Sequence, residues 1–203
     1  LMKITRVKTN FTEFGAPVST ELDAIVERMR SEETKAAAER IRQMAMQSRL
    51  MMEQGMPRYY LKDTSRLPYL MFAATFSKEG FDHPSKFTQL LLLNIPCPDG
   101  LQQVSDLRRR VAQIPYTLLA FAGVSGVTLK VIVRCDYKSG KQLDTEDYTA
   151  FLKDAHESAA RLYTSLLMCD LYVDEQTLTR GCRMSYDPQL YYNPQAQEAK
   201  IGR

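Results

Sequence analysis

Histidine is nearly missing from this 203-residue sequence, cysteine occurs only four times, and no apolar run is long. Each shortage removes a class of function. The histidines His83 and His156 and the cysteines Cys97, Cys135, Cys169 and Cys182 are scattered without a C-x-x-C pair, so neither a zinc site nor a disulfide framework is expected and a reducing cytoplasm fits best. None of the cysteines has the basic neighbours that mark a nucleophile. The opening LMKITRVKTNF is basic but has no apolar segment or small-residue cleavage site, and nothing later approaches the roughly eighteen apolar residues of a membrane span. A cytoplasmic protein away from membranes is expected. Charge excess is also lacking: +3, with an isoelectric point near 8.6, permits a nucleic-acid partner but falls short of the value above about 9 that marks a strong electrostatic binder. No internal repeat or low-complexity segment appears.

The chain is long enough to bury a core without covalent staples. The expectation is one domain over residues 1–203, which could lead a longer protein. MKITRVK alternates like a half-buried strand, and FTEFGAPVS, with its glycine and proline, reads as loop. From Thr20 the spacing turns helical: Thr20 and Asp23 resemble a capping box, and Leu22, Ile25, Val26 and Met29 form a stripe. A second helix from about Glu33 is expected to end at Gly55. Its Arg40, Arg42 and Arg49 suggest a basic face and Met44, Met46, Met51 and Met52 a docking face, but a solvated face with methionines filling core gaps accounts for both.

Strand periods then take over in LPYLMFAATF and FTQLLLLNI, followed by a helix, GLQQVSDLRRRVAQI, and two more strands, YTLLAFAGVSG and TLKVIVRCDY. The continuous LLLLNI predicts a central strand buried on both faces. Asp144 or Thr145 caps a long helix with Phe151, Leu152, Ala155, Ala159, Leu162 and Tyr163 as its stripe. Short strands and turns follow. The fold class is α+β, a mixed or mainly antiparallel sheet packed with helices.

Three stretches bear on chemistry. In GVSGVTLK, Gly123 to Lys130, a glycine pair around Ser125 with a lysine after it suits a phosphate, the backbone approaching closely and Lys130 supplying charge. A Ser-Gly hairpin turn gives the same sequence, and the spacing is not that of a Walker A loop. In DLYVDEQTLTRGCRMSYDPQLYYN, Asp174, Arg180, Arg183 and Asp187 suit a nucleotide held by acid, metal and guanidinium, or else a surface ion network. Tyr186, Tyr191 and Tyr192 read as packing at a sheet edge. The third stretch is LLLLNIPCPDG, a buried strand running into a turn.

Together these segments resemble the N-terminal domain of VirE-type proteins of bacterial mobile elements, which has a primase-polymerase-like fold. The counterparts are Ala74-Thr75-Phe76-Ser77, the Ser125-Gly126 loop ending in Lys130, and Asp174 through Arg180 to Ser185-Tyr186-Asp187-Pro188. The likeness runs from about Tyr69 to Asn193. It implies a relative of the archaeo-eukaryotic primases, whose active members carry an acid-x-acid metal motif at a strand end and a histidine on the serine-bearing strand. Here that strand end falls on Asn94-Ile95-Pro96, and Thr128 or Lys130 replaces the histidine. Without anionic ligands, two Mg²⁺ ions roughly 4 Å apart are left with uncompensated repulsion.

The expectation is therefore a catalytically degenerate primase-polymerase-like domain, more non-enzyme than enzyme, that binds nucleic acid or nucleotide phosphates through Ser125, Gly126, Lys130, Arg180 and Arg183. Asp174 is a weak single-metal candidate. No cofactor is expected, with Mg²⁺ or Mn²⁺ entering only if residual activity exists. The partners foreseen are single-stranded DNA or a nucleotide, and a helicase-like domain or protein. Two alternatives stay open: an active nucleotidyl transferase using Asp99, Asp136 and Asp174, and a protein-interaction module. His83 reads as a loop residue, His156 as a partly solvated helix residue, and Arg108-Arg109-Arg110 as cations placed against a helix dipole.

Overall fold

The computed structural model describes residues 1–10, 13–53, 67–136 and 144–200. In chain order the elements are β1 (Lys3–Asn10), β2 (Glu13–Glu21), α1 (Leu22–Arg30), α2 (Lys35–Glu53), β3 (Tyr69–Met71), β4 (Ala74–Phe76), β5 (Pro84–Phe87) and β6 (Leu90–Pro96). They continue as α3 (Leu101–Val111), β7 (Thr117–Ala122), β8 (Thr128–Asp136), α4 (Thr145–Leu167), β9 (Gly181–Arg183), β10 (Tyr191–Tyr192) and β11 (Ala199–Lys200). The architecture is α+β. Among the described residues no helix is long and apolar enough to cross a membrane.

The N-terminal sheet, ordered β2-β1-β3-β9, is antiparallel throughout. FTEFGAPVS, expected as loop, is strand from Glu13 onward. Pro17 stands opposite Val7 on the outermost strand, where a missing N–H removes no ladder bond. That pairing runs out to Glu21 and holds Thr20 extended opposite Ile4. Its hydroxyl donates to the Val18 carbonyl, and α1 starts at Leu22 without a side-chain cap, so the expected capping box is not formed. The stripe Leu22, Ile25, Val26, Met29 is buried as expected. Gly55, expected to close α2, lies outside the described residues.

LPYLMFAATF, expected as one strand, serves two sheets: β3 joins the N-terminal sheet, and β4 pairs with β5. The buried Thr5 hydroxyl donates to the Ala74 carbonyl at 3.0 Å and accepts from the Phe76 amide at 3.2 Å, so one side chain fills two backbone valences of β4.

The central sheet has the order β10-β7-β8, with β6 on the other side of β8 and β11 added in parallel at Cys135 and Asp136. β6 pairs with β8 from Leu90↔Arg134 to Pro96↔Thr128. Its alternate residues enter two cores, which the run of four leucines anticipated. Leu91, Leu93 and Ile95 pack with Val104, Leu107 and Val111 of α3 and Leu152, Ala155 and Tyr163 of α4. Leu90 and Leu92 pack with α1 and with Ile4, Leu70 and Phe72. Each buried leucine contributes roughly 1.5–3 kcal/mol, so a one-residue slip of this strand is strongly opposed.

Asp144 caps α4, accepting from the Asp147 amide at 2.8 Å. The stripe of α4 departs from expectation in two places: Leu162 is exposed, and Phe151 is only half-buried. Tyr148, His156 and Leu167 complete the buried face instead. His156, expected to be partly solvated, is 4% exposed. Arg110 donates to the Leu167 carbonyl at 2.6 Å, a cation closing the C-terminus of α4.

Candidate functional site

Asn94 points to the same side of β6 as Leu90 and Leu92, directly opposite Lys130 on β8, and is 6% exposed. A buried amide requires partners, and both are charged. Its Oδ1 accepts from Lys130 Nζ at 2.7 Å, and its Nδ2 donates to a carboxylate oxygen of Asp174. The other Asp174 oxygen accepts from Arg180 at 2.5 Å. The result is a row of ammonium, amide, carboxylate and guanidinium in which neighbours attract. The orientation of the amide follows from it, because the lysine demands an acceptor and the aspartate a donor.

The segment carrying Asp174 is tied to the same residue by backbone, since the Tyr172 amide donates to the Asn94 carbonyl at 2.9 Å. Gln176 then donates to the Asp174 carbonyl at 3.0 Å. His156 feels Asp174 and Arg180 from α4. Burial holds its pKa below the ordinary value against the opposing pull of Asp174 and Glu157, and its Nε2 is buried without a partner.

The glycine-serine segment is a hairpin turn. The Gly123 amide donates to the Thr128 carbonyl at 2.7 Å and the Gly126 amide to the Gly123 carbonyl at 2.9 Å. Gly126 has φ +79°, which favours glycine. Gly123 is small for a different reason: a Cβ there would stand 3.2 Å from Lys130 Cε and 3.2 Å from the Thr128 carbonyl oxygen. The Ser125 hydroxyl leans back toward the Val127 amide at 3.5 Å.

Gly126 rests on the aliphatic stem of Arg42, and a Cβ there would meet Arg42 Cγ at 3.5 Å. The Arg42 guanidinium reaches on to the Tyr186 carbonyl at 2.7 Å and the Ser185 hydroxyl at 3.2 Å. Next to it lies a buried ion pair between Arg108 and Asp187 at 2.5 Å. The same Asp187 oxygen accepts from the Ala122 amide at 2.7 Å, and the other from the Gln189 amide at 3.1 Å. The turn, α2, α3 and the Ser-Tyr-Asp-Pro segment thus meet at one place.

Of the residues singled out in the sequence, Lys130, Arg180 and Asp174 converge on Asn94. Ser125 and Gly126 sit beside Arg42. Arg183 turns elsewhere, donating to the Leu67 carbonyl at 3.0 Å and lying over the Tyr69 ring at 5.5 Å. Asp99 is exposed in the turn after β6, and Asp136 stands six residues along β8 from Lys130, roughly 20 Å at strand rise. His83 is exposed, as expected of a loop residue. Among the described residues no three or more His, Cys, Asp and Glu side chains gather as metal ligands would.

Sequence reading missed Arg42, Arg108 and the burial of His156, though each carried a signal. Arg108 shares a stripe with Val104, Leu107 and Val111, Arg42 sits four residues after Ala38 and one after Ile41, and His156 falls among Leu152, Ala155 and Ala159. A polar residue in an apolar stripe is a buried polar residue, and it must find partners.

Searches among curated proteins and among solved structures return no match. The family model for the BT4734-like N-terminal domain matches residues 62–192, more than half of the chain. That range takes in every strand from β3 to β10, the Asn94 row and the Arg108–Asp187 pair, while Arg42 lies ahead of it. By this match, the chain belongs to the BT4734-like N-terminal domain family.

Proposed function

We propose that this chain is a single primase-polymerase-like domain of the VirE-related kind that has lost nucleotidyl transfer and retains binding of nucleic acid or nucleotide phosphates, in the cytoplasm, as part of a mobile-element or replication protein. The observation that carries the reading is the state of Asn94. Where the resemblance places metal-binding acids, the strand end offers a neutral amide held between an ammonium and a carboxylate. Both oxygens of Asp174 already accept from N–H donors. One carboxylate so engaged does not fit a pair of divalent ions, which take several anionic oxygens. Lys130 moreover brings positive charge to the place a cation would occupy. The partners in this reading are single-stranded DNA and a helicase-like domain or protein.

Primer-synthesis assays with Mg²⁺ or Mn²⁺ and all four nucleoside triphosphates test the loss of catalysis: no extension product is expected, and template-dependent product refutes it. Fluorescence anisotropy with a labelled oligothymidylate tests the binding. Affinity that falls linearly on a log–log salt plot is expected, as for phosphate contacts. No binding at low salt refutes the nucleic-acid part of the reading, and no binding of a nucleoside triphosphate either leaves a protein-interaction module.

A further inference from the structure

A buried or half-buried charge is stable only when paired, and a guanidinium cannot escape by losing its proton. Several arginines and lysines in this fold obey that rule visibly. Arg108 pairs with Asp187, Arg180 with Asp174, Arg28 with Glu33, and Lys35 with Glu32. Arg42 does not. It is half-buried on α2, its terminal nitrogen donates to two neutral oxygens, the Tyr186 carbonyl and the Ser185 hydroxyl, and its Nε is buried without a partner. The nearby acids act on it from a distance: Asp187, already engaged by Arg108, and the exposed Glu39. Burial outweighs them and pulls the Arg42 pKa below its ordinary value.

The surroundings suit an anion. The Gly126 turn lies against the Arg42 stem, leaving backbone rather than side chain at that wall. Lys35 lies over the Tyr186 ring at 5.9 Å, and a second guanidinium, Arg108, is paired with Asp187.

We propose that Arg42 is the anchor of a phosphate-binding site formed between α2, the Gly123–Val127 turn and Ser185–Asp187, whose ligand is a phosphate group of a polynucleotide backbone or of a nucleotide polyphosphate. The site deepens the binding role proposed above, and it moves the phosphate contact from Lys130, which is held by Asn94, to a residue on α2. Arginine suits it because a guanidinium stays charged when half-buried and, with Nη2 donating to Tyr186 and Ser185, keeps the two N–H groups of Nη1 for phosphate oxygens.

The test uses the whole chain with two probes at constant ionic strength, inorganic pyrophosphate and a fluorescein-labelled oligothymidylate, against Arg42→Gln, Arg42→Lys and, as a control for net charge, Lys153→Ala. Pyrophosphate is expected to raise the melting temperature of the native protein by mass action and to leave that of Arg42→Gln unmoved. Arg42→Gln should weaken the binding site's own probe on the order of tenfold or more, and Arg42→Lys should fall between, because charge remains and the guanidinium is lost. Lys153→Ala, which removes one exposed charge on α4, should bind nearly as the native protein does. Pyrophosphate dependence alone assigns the site to polyphosphates, and oligonucleotide dependence alone to a polynucleotide. Binding of both probes that is unchanged in both Arg42 variants overturns this site and leaves the broader binding role standing. Pyrophosphate binding through Arg42 without any oligonucleotide binding does the reverse for nucleic acid. Should Arg42→Gln fail to fold, native affinity in Arg42→Lys overturns the site, as does a native protein that binds neither probe.

Discussion

Asp187→Ala is expected to be among the most destabilising single changes in this protein. The carboxylate takes the Arg108 guanidinium and the Ala122 amide on one oxygen and the Gln189 amide on the other, with Asp187 and Arg108 both nearly buried. Deleting it leaves a buried guanidinium whose remaining contact is Gln189 at 3.3 Å, and it orphans the Ala122 amide at the end of β7. Breaking a buried pair in this way costs about 3–5 kcal/mol, a large share of the roughly 5–15 kcal/mol that holds a typical domain. With a urea slope of about 2.5 kcal/mol per M, the midpoint should fall by about 1–2 M at unchanged slope. Arg108→Met should cost less, because Asp187 keeps both backbone N–H donors and the field of Arg42 while the methionine fills the stripe with Val104, Leu107 and Val111. Equilibrium urea unfolding followed by circular dichroism reads both variants. A midpoint shift under about 0.4 M for Asp187→Ala, or a larger loss in Arg108→Met than in Asp187→Ala, refutes the reasoning.

His156 should give stability a dependence on pH. Its folded pKa is depressed by burial, so between the unfolded value near 6.5 and the lower folded one the unfolded chain binds more protons, and stability is lost as pH falls through that window. His156→Gln should flatten the change in urea midpoint over that range, and an unchanged slope there counts against it. Gly181→Ala should disrupt the β3–β9 edge, because a Cβ would stand 1.8 Å from the Leu70 carbonyl oxygen; thermal denaturation should show a loss at or above the upper end of about 1–3 kcal/mol. In the native protein, iodoacetamide should modify Cys169 well before the others. Burial pushes Cys97 and Cys182 up to about 11 and encloses Cys135, whereas Cys169 is partly open. Peptide mapping that finds Cys182 labelled first would contradict this packing.

The α+β class and the double-sided burial of β6 were legible because a run of four leucines without alternation can only be satisfied between two cores. The cap at Asp144 was legible because it is a local signal. What escaped depended on partners distant in sequence. Pro17 marks a loop until β1 is known to leave it an outer edge, and LPYLMFAATF is one strand until Thr5 supplies hydrogen bonds to β4 from across the sheet. The site was legible in the same partial way. Asn94, Lys130, Asp174 and Arg180 were each in view, but that the amide would join the lysine to the aspartate follows from strand register, which no local pattern encodes. Arg42 was set aside as part of a solvated face because one arginine among three looks like the others; Arg40 also adjoins Ile41, and only the place of Arg42 four residues after the buried Ala38 distinguishes it.

Gly123 carries a last consequence. Glycine in such a loop is ordinarily read as clearance for a ligand, yet here the clearance is filled by the hydrocarbon tail of the protein's own Lys130. Any larger residue at that position would displace the tail or shift the turn, and with it the ammonium that orients Asn94. The volume of the residue at 123 therefore governs an electrostatic alignment on the neighbouring strands, and alanine there should disturb the amide before it disturbs the loop.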